Sequence, residues 1–216
     1  MSDELDFSHT AMTSGPALCD PPVIEIRDGK PVCVWRGKTR WPSVGRAMKR
    51  MARVYAPWLV EERTPEAEAR QERGKRIHEV IGWLDKGMRV AYETFYQPYI
   101  DGWMAGCAEL GIEEWEEVEV PRVRVIDEKH CIFGVPDRVA RERVVELKTV
   151  ENIKSRQEAS MIQTAAYMWI TGRDQGSVIW VDPYGGHHVE HVGERAKRRW
   201  EDVVREVSGS EDEGDE

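Results

Sequence analysis

None of the four cysteines (Cys19, Cys33, Cys107, Cys131) stands in a C-x-x-C pair. Scattered thiols argue against a cysteine zinc site, and with no export signal they are expected to stay reduced. No apolar run reaches the ~20 residues that a bilayer-spanning helix needs, so no membrane partner is expected. The opening residues, Met1-Ser2-Asp3-Glu4-Leu5-Asp6, are acidic and lack the basic-then-apolar pattern of a secretory signal. A cytoplasmic protein is the expectation. There is no internal repeat, which removes solenoids and arrays.

What is present fits one sizeable domain. The chain has 216 residues, 40% of them hydrophobic and 33% charged. Residues 1–20 are polar and punctuated by Gly15-Pro16, and residues 208–216 form an acidic tail; both are expected to be disordered. A single folded domain over 21–207 is expected between them. The net charge of −9 is mostly terminal: Asp3, Glu4 and Asp6 carry −3 and the last nine residues −5, leaving −1 for residues 7–207. Within that body, Arg36 to Arg76 holds 12 Lys/Arg against five Glu, a net of +7. Such a region admits a polyanionic partner, although basic segments are often only solvated faces.

Val23–Arg27 and Pro31–Trp35 flank Asp28-Gly29, the pattern of a hairpin. Ser43 is a good N-cap for a helix from about Val44 to Tyr55. Arg46, Lys49, Arg50 and Arg53 recur there at helical spacing, either as a solvated face or as a ridge for phosphates. Thr64-Pro65 opens a second helix reaching about Lys86, with Ile77, Val80, Ile81 and Leu84 facing a core. Gly74 inside it implies close backbone approach, and Gly74 and His78 lie one turn apart. A lone His there is commonly a hydrogen-bonded core residue. A further helix is expected over 89–110, kinked or split at Pro98, with Tyr92, Phe95, Tyr96, Tyr99 and Trp103 in the core or, for one or two, stacked on unpaired bases. Glu116 to Ile126 alternates as a half-buried strand. A helix from about Gln157 to Thr171 places Gln163 and Tyr167 on one face. Ser177–Val181, a turn at Asp182–Gly186, a return strand from His187 and a last helix over 194–207 complete the chain.

The stretch Cys131 to Thr149 reads as a hairpin whose strands meet at Arg141-Glu142. Strand alternation points Glu146 and Lys148 the same way, and Asp137 is placed to meet Glu146 across the hairpin. A charged pair inside an apolar strand needs a reason. Two carboxylates offer hard oxygen ligands to Mg²⁺ or Mn²⁺, with Lys148 beside them. The plain alternative is an ion-pair ladder on an edge strand. A decoy, His187-His188-Val189-Glu190-His191, matches the inverted zinc-protease string, but that motif needs a long helix where this pattern is a return strand.

Taken in order, Gly74-Lys75-Arg76-Ile77-His78, Gly134-Val135-Pro136-Asp137, Glu146-Leu147-Lys148 and Gln163-Thr164-Ala165-Ala166-Tyr167 resemble the PD-(D/E)XK nuclease superfamily, in its RecB-like branch of phage exonucleases and the mitochondrial genome maintenance exonuclease. The resemblance covers about residues 70–182. It implies an α/β fold, a central mixed sheet of about four to five strands flanked by helices; outside the resemblance the N-terminal hairpin is added, and residues 43–110 are expected as a helical wall of a groove. The domain would be a nuclease with its core at about 70–192. His78, Asp137 and Glu146 would hold one or two Mg²⁺ or Mn²⁺ ions, with the Leu147 carbonyl as a backbone ligand. Lys148 would orient the attacking water, so that Lys148, Glu146 and Asp137 form the catalytic set. Gln163 and Tyr167, with Arg46, Lys49, Arg50, Arg53, Arg73 and Lys75, would contact DNA, single-stranded or at duplex ends. With no cysteine after Cys131, no iron–sulfur cluster is expected. The cell would be bacterial or phage-infected, and the role DNA recombination, repair or replication. A non-catalytic DNA-binding module and an endonuclease on the same fold stay open as alternatives.

Overall fold

A computed structural model describes residues 21–35, 43–48, 64–152 and 158–209. The expected disordered segments (apart from residues 208 and 209), the remainder of the 44–55 helix and Cys19 lie outside the described residues.

The centre is a five-stranded mixed sheet. Its strands are β3 (Glu117–Val118), β6 (Arg138–Val139), β7 (Arg143–Thr149), β8 (Gln175–Val181) and β9 (His187–His191), in that spatial order. Only the β7–β8 pair is parallel. The connection between them carries helix α3 (Glu158–Thr171), as a parallel crossover requires. Alternation along β7 decides the two cores. Val144 faces a cluster with Met161, Ala165 and Met168 of α3 and Trp200 and Val203 of α4 (Glu194–Gly209). Val145 and Leu147 face the other cluster, with Ile77 and Ile81 of α1 (Pro65–Asp85) and Trp103 of α2 (Gln97–Glu109). Helices therefore cover both faces.

Helix α1 begins as expected. The Thr64 hydroxyl accepts from the Ala67 N–H at 3.2 Å, and Pro65 occupies the first turn. The close approach that Gly74 implies is found at the end of β7: a Cβ at position 74 would lie 3.1 Å from the Thr149 hydroxyl. Ser43 accepts from the Arg46 N–H at 3.2 Å, capping the short helical stretch 44–48.

Four expectations need correction. Residues 89–93 are not helical; a 3-10 turn at Thr94–Tyr96 leads into α2, with Pro98 in its first turn. Proline is tolerated there because the first N–H groups of a helix lack carbonyl partners anyway, so it starts the helix instead of kinking it. The 116–126 strand is two strands. Glu119 has φ of 55° and breaks the run, so β3 joins β6 while β4 (Arg122–Val125) pairs with β5 (Cys131–Gly134) in a separate two-stranded sheet. The 131–139 strand is likewise divided into β5 and β6, at Pro136, which has no N–H to give a ladder. Finally, the helical region from 43 is not one wall. Val44 and Ala47 pack in the α3 cluster, on the opposite side of the sheet from α1 and α2.

The N-terminal hairpin, β1 (Val23–Arg27) and β2 (Lys30–Val34), turns at Asp28-Gly29, both with positive φ. It docks through Cys33 and Trp35 onto Cys131, and the Cys33 and Cys131 sulfurs lie 3.7 Å apart. Thiols distant in sequence thus meet in the fold. No helix among the described residues is long and apolar enough to cross a membrane.

Candidate active site

β7 runs on past the end of β6. Arg138 pairs with Val145, so the next positions, Asp137 and Glu146, face each other just where the ladder stops. The Asp137 N–H donates to Glu146 Oε1 at 3.0 Å, and the Leu147 N–H donates to Asp137 Oδ2 at 2.9 Å. The N–H and C=O of an extended residue face the same edge, which directs the Leu147 carbonyl toward Asp137 as well. From α1, His78 Nδ1 lies 3.5 Å from Asp137 Oδ2. Lys148 shares a strand face with Glu146, and its Nζ lies 3.4 Å from Glu146 Oε2. The same ammonium donates to Gln163 Oε1 at 3.1 Å, and Gln163 Nε2 donates to the Tyr167 hydroxyl at 3.0 Å. One hydrogen-bonded line runs from β7 into α3.

Glu146 is 1% exposed, whereas the Asp137 side chain keeps 16% and Lys148 24%. Burial, then the charge of Asp137, pushes the Glu146 carboxyl up to about 8, against the pull of Lys148 and the Asp137 N–H. Burial also acts upward on Asp137. There it is outweighed by His78, Lys148 and the Leu147 N–H, which hold this carboxyl well below the usual carboxylate range. The two acids are thus pushed in opposite directions, Asp137 toward the ionised form and Glu146 toward the protonated one.

No protein-family model and no curated protein matches this chain. Among solved structures it is similar to a phage-related exonuclease from Haemophilus somnus 129PT, with 13% identity, a TM-score of 0.40, and coverage of 77% of this chain and 91% of that one. It is also similar to the protein SSO0001, with 20% identity and a TM-score of 0.35, over 53% of this chain and 60% of that one. The chain therefore spans three fifths of SSO0001. Likenesses this distant say nothing of activity.

The donor set suits a hard divalent ion: two carboxylates, an imidazole and a backbone carbonyl at one sheet edge. Burial first, and then the charge of Asp137, favour the protonated form of Glu146, while the Lys148 ammonium bonded to it pulls the other way. Among the described residues, however, no group of three His, Cys, Asp or Glu side chains is spaced to hold a metal ion as they stand. The carboxylates are instead satisfied by backbone N–H groups and Lys148.

The residues expected at DNA are less gathered. Tyr167 is buried, with its phenol pushed up chiefly by burial, and stands behind Gln163. A Cβ at Gly134 would lie 2.6 Å from the Tyr167 ring, which is why glycine precedes Val135-Pro136-Asp137. Arg46 is exposed. Arg73 and Lys75 lie on α1 and pair with Glu151 at 3.5 Å and Glu72 at 3.3 Å. Lys49, Arg50 and Arg53 lie outside the described residues. Beside the carboxylates a cleft of about 410 Å³ is lined by Gln71, Gly74, Lys75, His78, Glu79, Trp83 and Glu119. His187 and His191 sit on β9, a strand, where no zincin helix exists.

Sequence reasoning missed Arg138, Asp85 and Glu119, and gave Trp103 a place in the core without its bond to Asp85. Arg138 is 1% exposed, and its Nε donates to Asp85 Oδ2 at 2.5 Å. The one available signal was an arginine directly after Asp137 inside an apolar run.

Proposed function

We propose that this protein is a divalent-metal-dependent nuclease that hydrolyses phosphodiester bonds of DNA as an exonuclease. What carries the reading is that Asp137, in the break just before β6, lies against both Glu146 of β7 and His78 of α1, beside an ammonium group held by Gln163. A surface ion-pair ladder would not need Glu146 at 1% exposure. His78, Asp137, Glu146 and the Leu147 carbonyl would hold Mg²⁺ or Mn²⁺. When bound, such an ion neutralises charge on the phosphoryl group and lowers the pKa of a water. The rest falls to the chain. Glu146 and Gln163 hold Lys148 Nζ between two acceptors, so that its third proton is free to orient a water or meet a phosphate oxygen. Tyr167 fixes the amide of Gln163. Lys75 lines the cleft and Arg73 stands two residues before it on α1; both are exchangeable phosphate partners, released from Glu72 and Glu151 when a polyanion arrives.

The test is digestion of end-labelled single- and double-stranded DNA alongside a covalently closed circle, with and without Mg²⁺ or Mn²⁺. Metal-dependent loss of the linear substrates with the circle intact is expected. Cutting of the circle would make it an endonuclease, and DNA binding without cleavage under either metal would overturn catalysis.

A further inference from the structure

Asp85 is the last residue of α1, and no basic residue occupies that last turn. A carboxylate at a helix C-terminus opposes the helix dipole, so its place there calls for a partner. Arg138 is that partner, at 2.5 Å, with side chains 1% and 8% exposed for Arg138 and Asp85. Trp103 Nε1 donates to the other Asp85 oxygen at 3.2 Å, and the Arg138 guanidinium lies 5.7 Å from the centre of the Trp103 ring. Arg138 Nη1 also donates to the carbonyl of Asp137 at 2.6 Å. That carbonyl takes the Glu119 N–H as well, at 2.9 Å, so two donors hold the Asp137 peptide from behind. Arg138 Nη2 has no hydrogen-bond partner among the described residues.

A buried ion pair is weak grounds for stability, since an apolar pair of similar volume commonly does as well. An apolar pair could not grip a carbonyl. His78 lies seven residues before Asp85 on the same helix, and Asp137 directly precedes Arg138. The pair therefore ties the helix bearing the imidazole to the peptide bearing the carboxylate.

We propose that Asp85 and Arg138 are positioning residues that set the His78–Asp137 spacing for a divalent ion; this rests on the metal-dependent reading above. The test is Mn²⁺ affinity, by titration calorimetry or the free-ion electron paramagnetic resonance signal, with the melting curve recorded for each protein. The double variant Asp85→Leu/Arg138→Met removes both charges together and leaves neither uncompensated. It is expected to melt cooperatively and to bind Mn²⁺ at least fivefold more weakly than wild type. A folded double variant with a smaller loss overturns the proposal, because a purely structural pair would move the melting temperature and leave the affinity alone. If the double variant does not fold, Arg138→Lys decides by the same threshold. It keeps a charge for Asp85 but lacks the fork that reaches the Asp137 carbonyl at the same time. Wild type that binds no Mn²⁺ would remove the metal-dependent reading itself, and the proposal with it. Equal binding by wild type and variant removes the proposal alone.

Discussion

Lys148 has two acceptors, Glu146 Oε2 and Gln163 Oε1, and about a quarter of its side chain is exposed, 24%. Truncating it removes a donor aimed at developing charge but little buried surface. Lys148→Ala should therefore lower metal-dependent cleavage by about 10²–10³-fold, the usual loss for one such donor. Mn²⁺ should still bind. Cleavage at the wild-type rate would take Lys148 out of the chemistry. Gly134 makes a different prediction. A methyl group there meets the Tyr167 ring at 2.6 Å and Val44 at 3.0 Å, and neither is the loose end of a flexible chain. Gly134→Ala should cost about 1–3 kcal/mol in urea unfolding, and unchanged stability would mean that the ring has room to move. At this scale the shared face of Glu146 and Lys148 and the meeting of Asp137 with Glu146 were legible, because they follow from strand alternation; the bond from Lys148 to Gln163 was not. Nor was the ion pair behind the carboxylates: nothing in the spacing of Asp85 and Arg138 announces that α1 ends over β6.

Helix α2 lies close on the sheet through small residues. A Cβ at Gly106 would sit 2.6 Å from a methyl of Ile179, which is wholly buried on β8. A β-branched side chain in a packed strand cannot swing aside. Gly106→Ala should therefore destabilise by about 1–3 kcal/mol and lower the melting temperature by several degrees; a melting temperature equal to wild type would show that α2 can shift outward. The elements themselves were largely readable. Apolar period and Thr64-Pro65 marked α1, and alternation with Asp28-Gly29 marked the first hairpin. The failures fall where a single residue breaks a run. Glu119 at φ 55° and Pro136 each divide a strand that alternation alone would continue. Those breaks are also what leave Asp137 outside a ladder and facing Glu146. Pro98 reads as a kink in the sequence because proline in a first turn and proline in a helix interior look alike until the start of the helix is known.

At the scale of the whole molecule the two carboxylates make stability depend on pH. The Glu146 carboxyl is held up to about 8 in the folded protein against an ordinary 4.5. Between those values the folded state keeps a proton that the unfolded chain has released, so unfolding becomes easier as pH rises. The contribution is full below 4.5 and is lost by about pH 8. Asp137 acts in the opposite sense, with its carboxyl held down, but its window lies below 3.8 and does not overlap. The metal-free protein should thus lose at least about 1 kcal/mol between pH 5 and pH 8 through this group, since each tenfold difference in proton affinity between folded and unfolded chain is worth about 1.4 kcal/mol. The comparison that isolates Glu146 is with Glu146→Gln, whose stability should fall less over the interval. An ion bound at the site favours the ionised acid. Mn²⁺ at about 100 times its dissociation constant should add roughly 2.7 kcal/mol, more readily at pH 8 than at pH 5, where a proton competes for Glu146. The glutamine variant should gain much less. Urea melts of both proteins at the two pH values, with Mn²⁺ and with a chelator, measure all of this. Equal pH slopes in the two proteins would mean that Glu146 does not hold its proton against Asp137. Equal Mn²⁺ stabilisation would place the ion elsewhere.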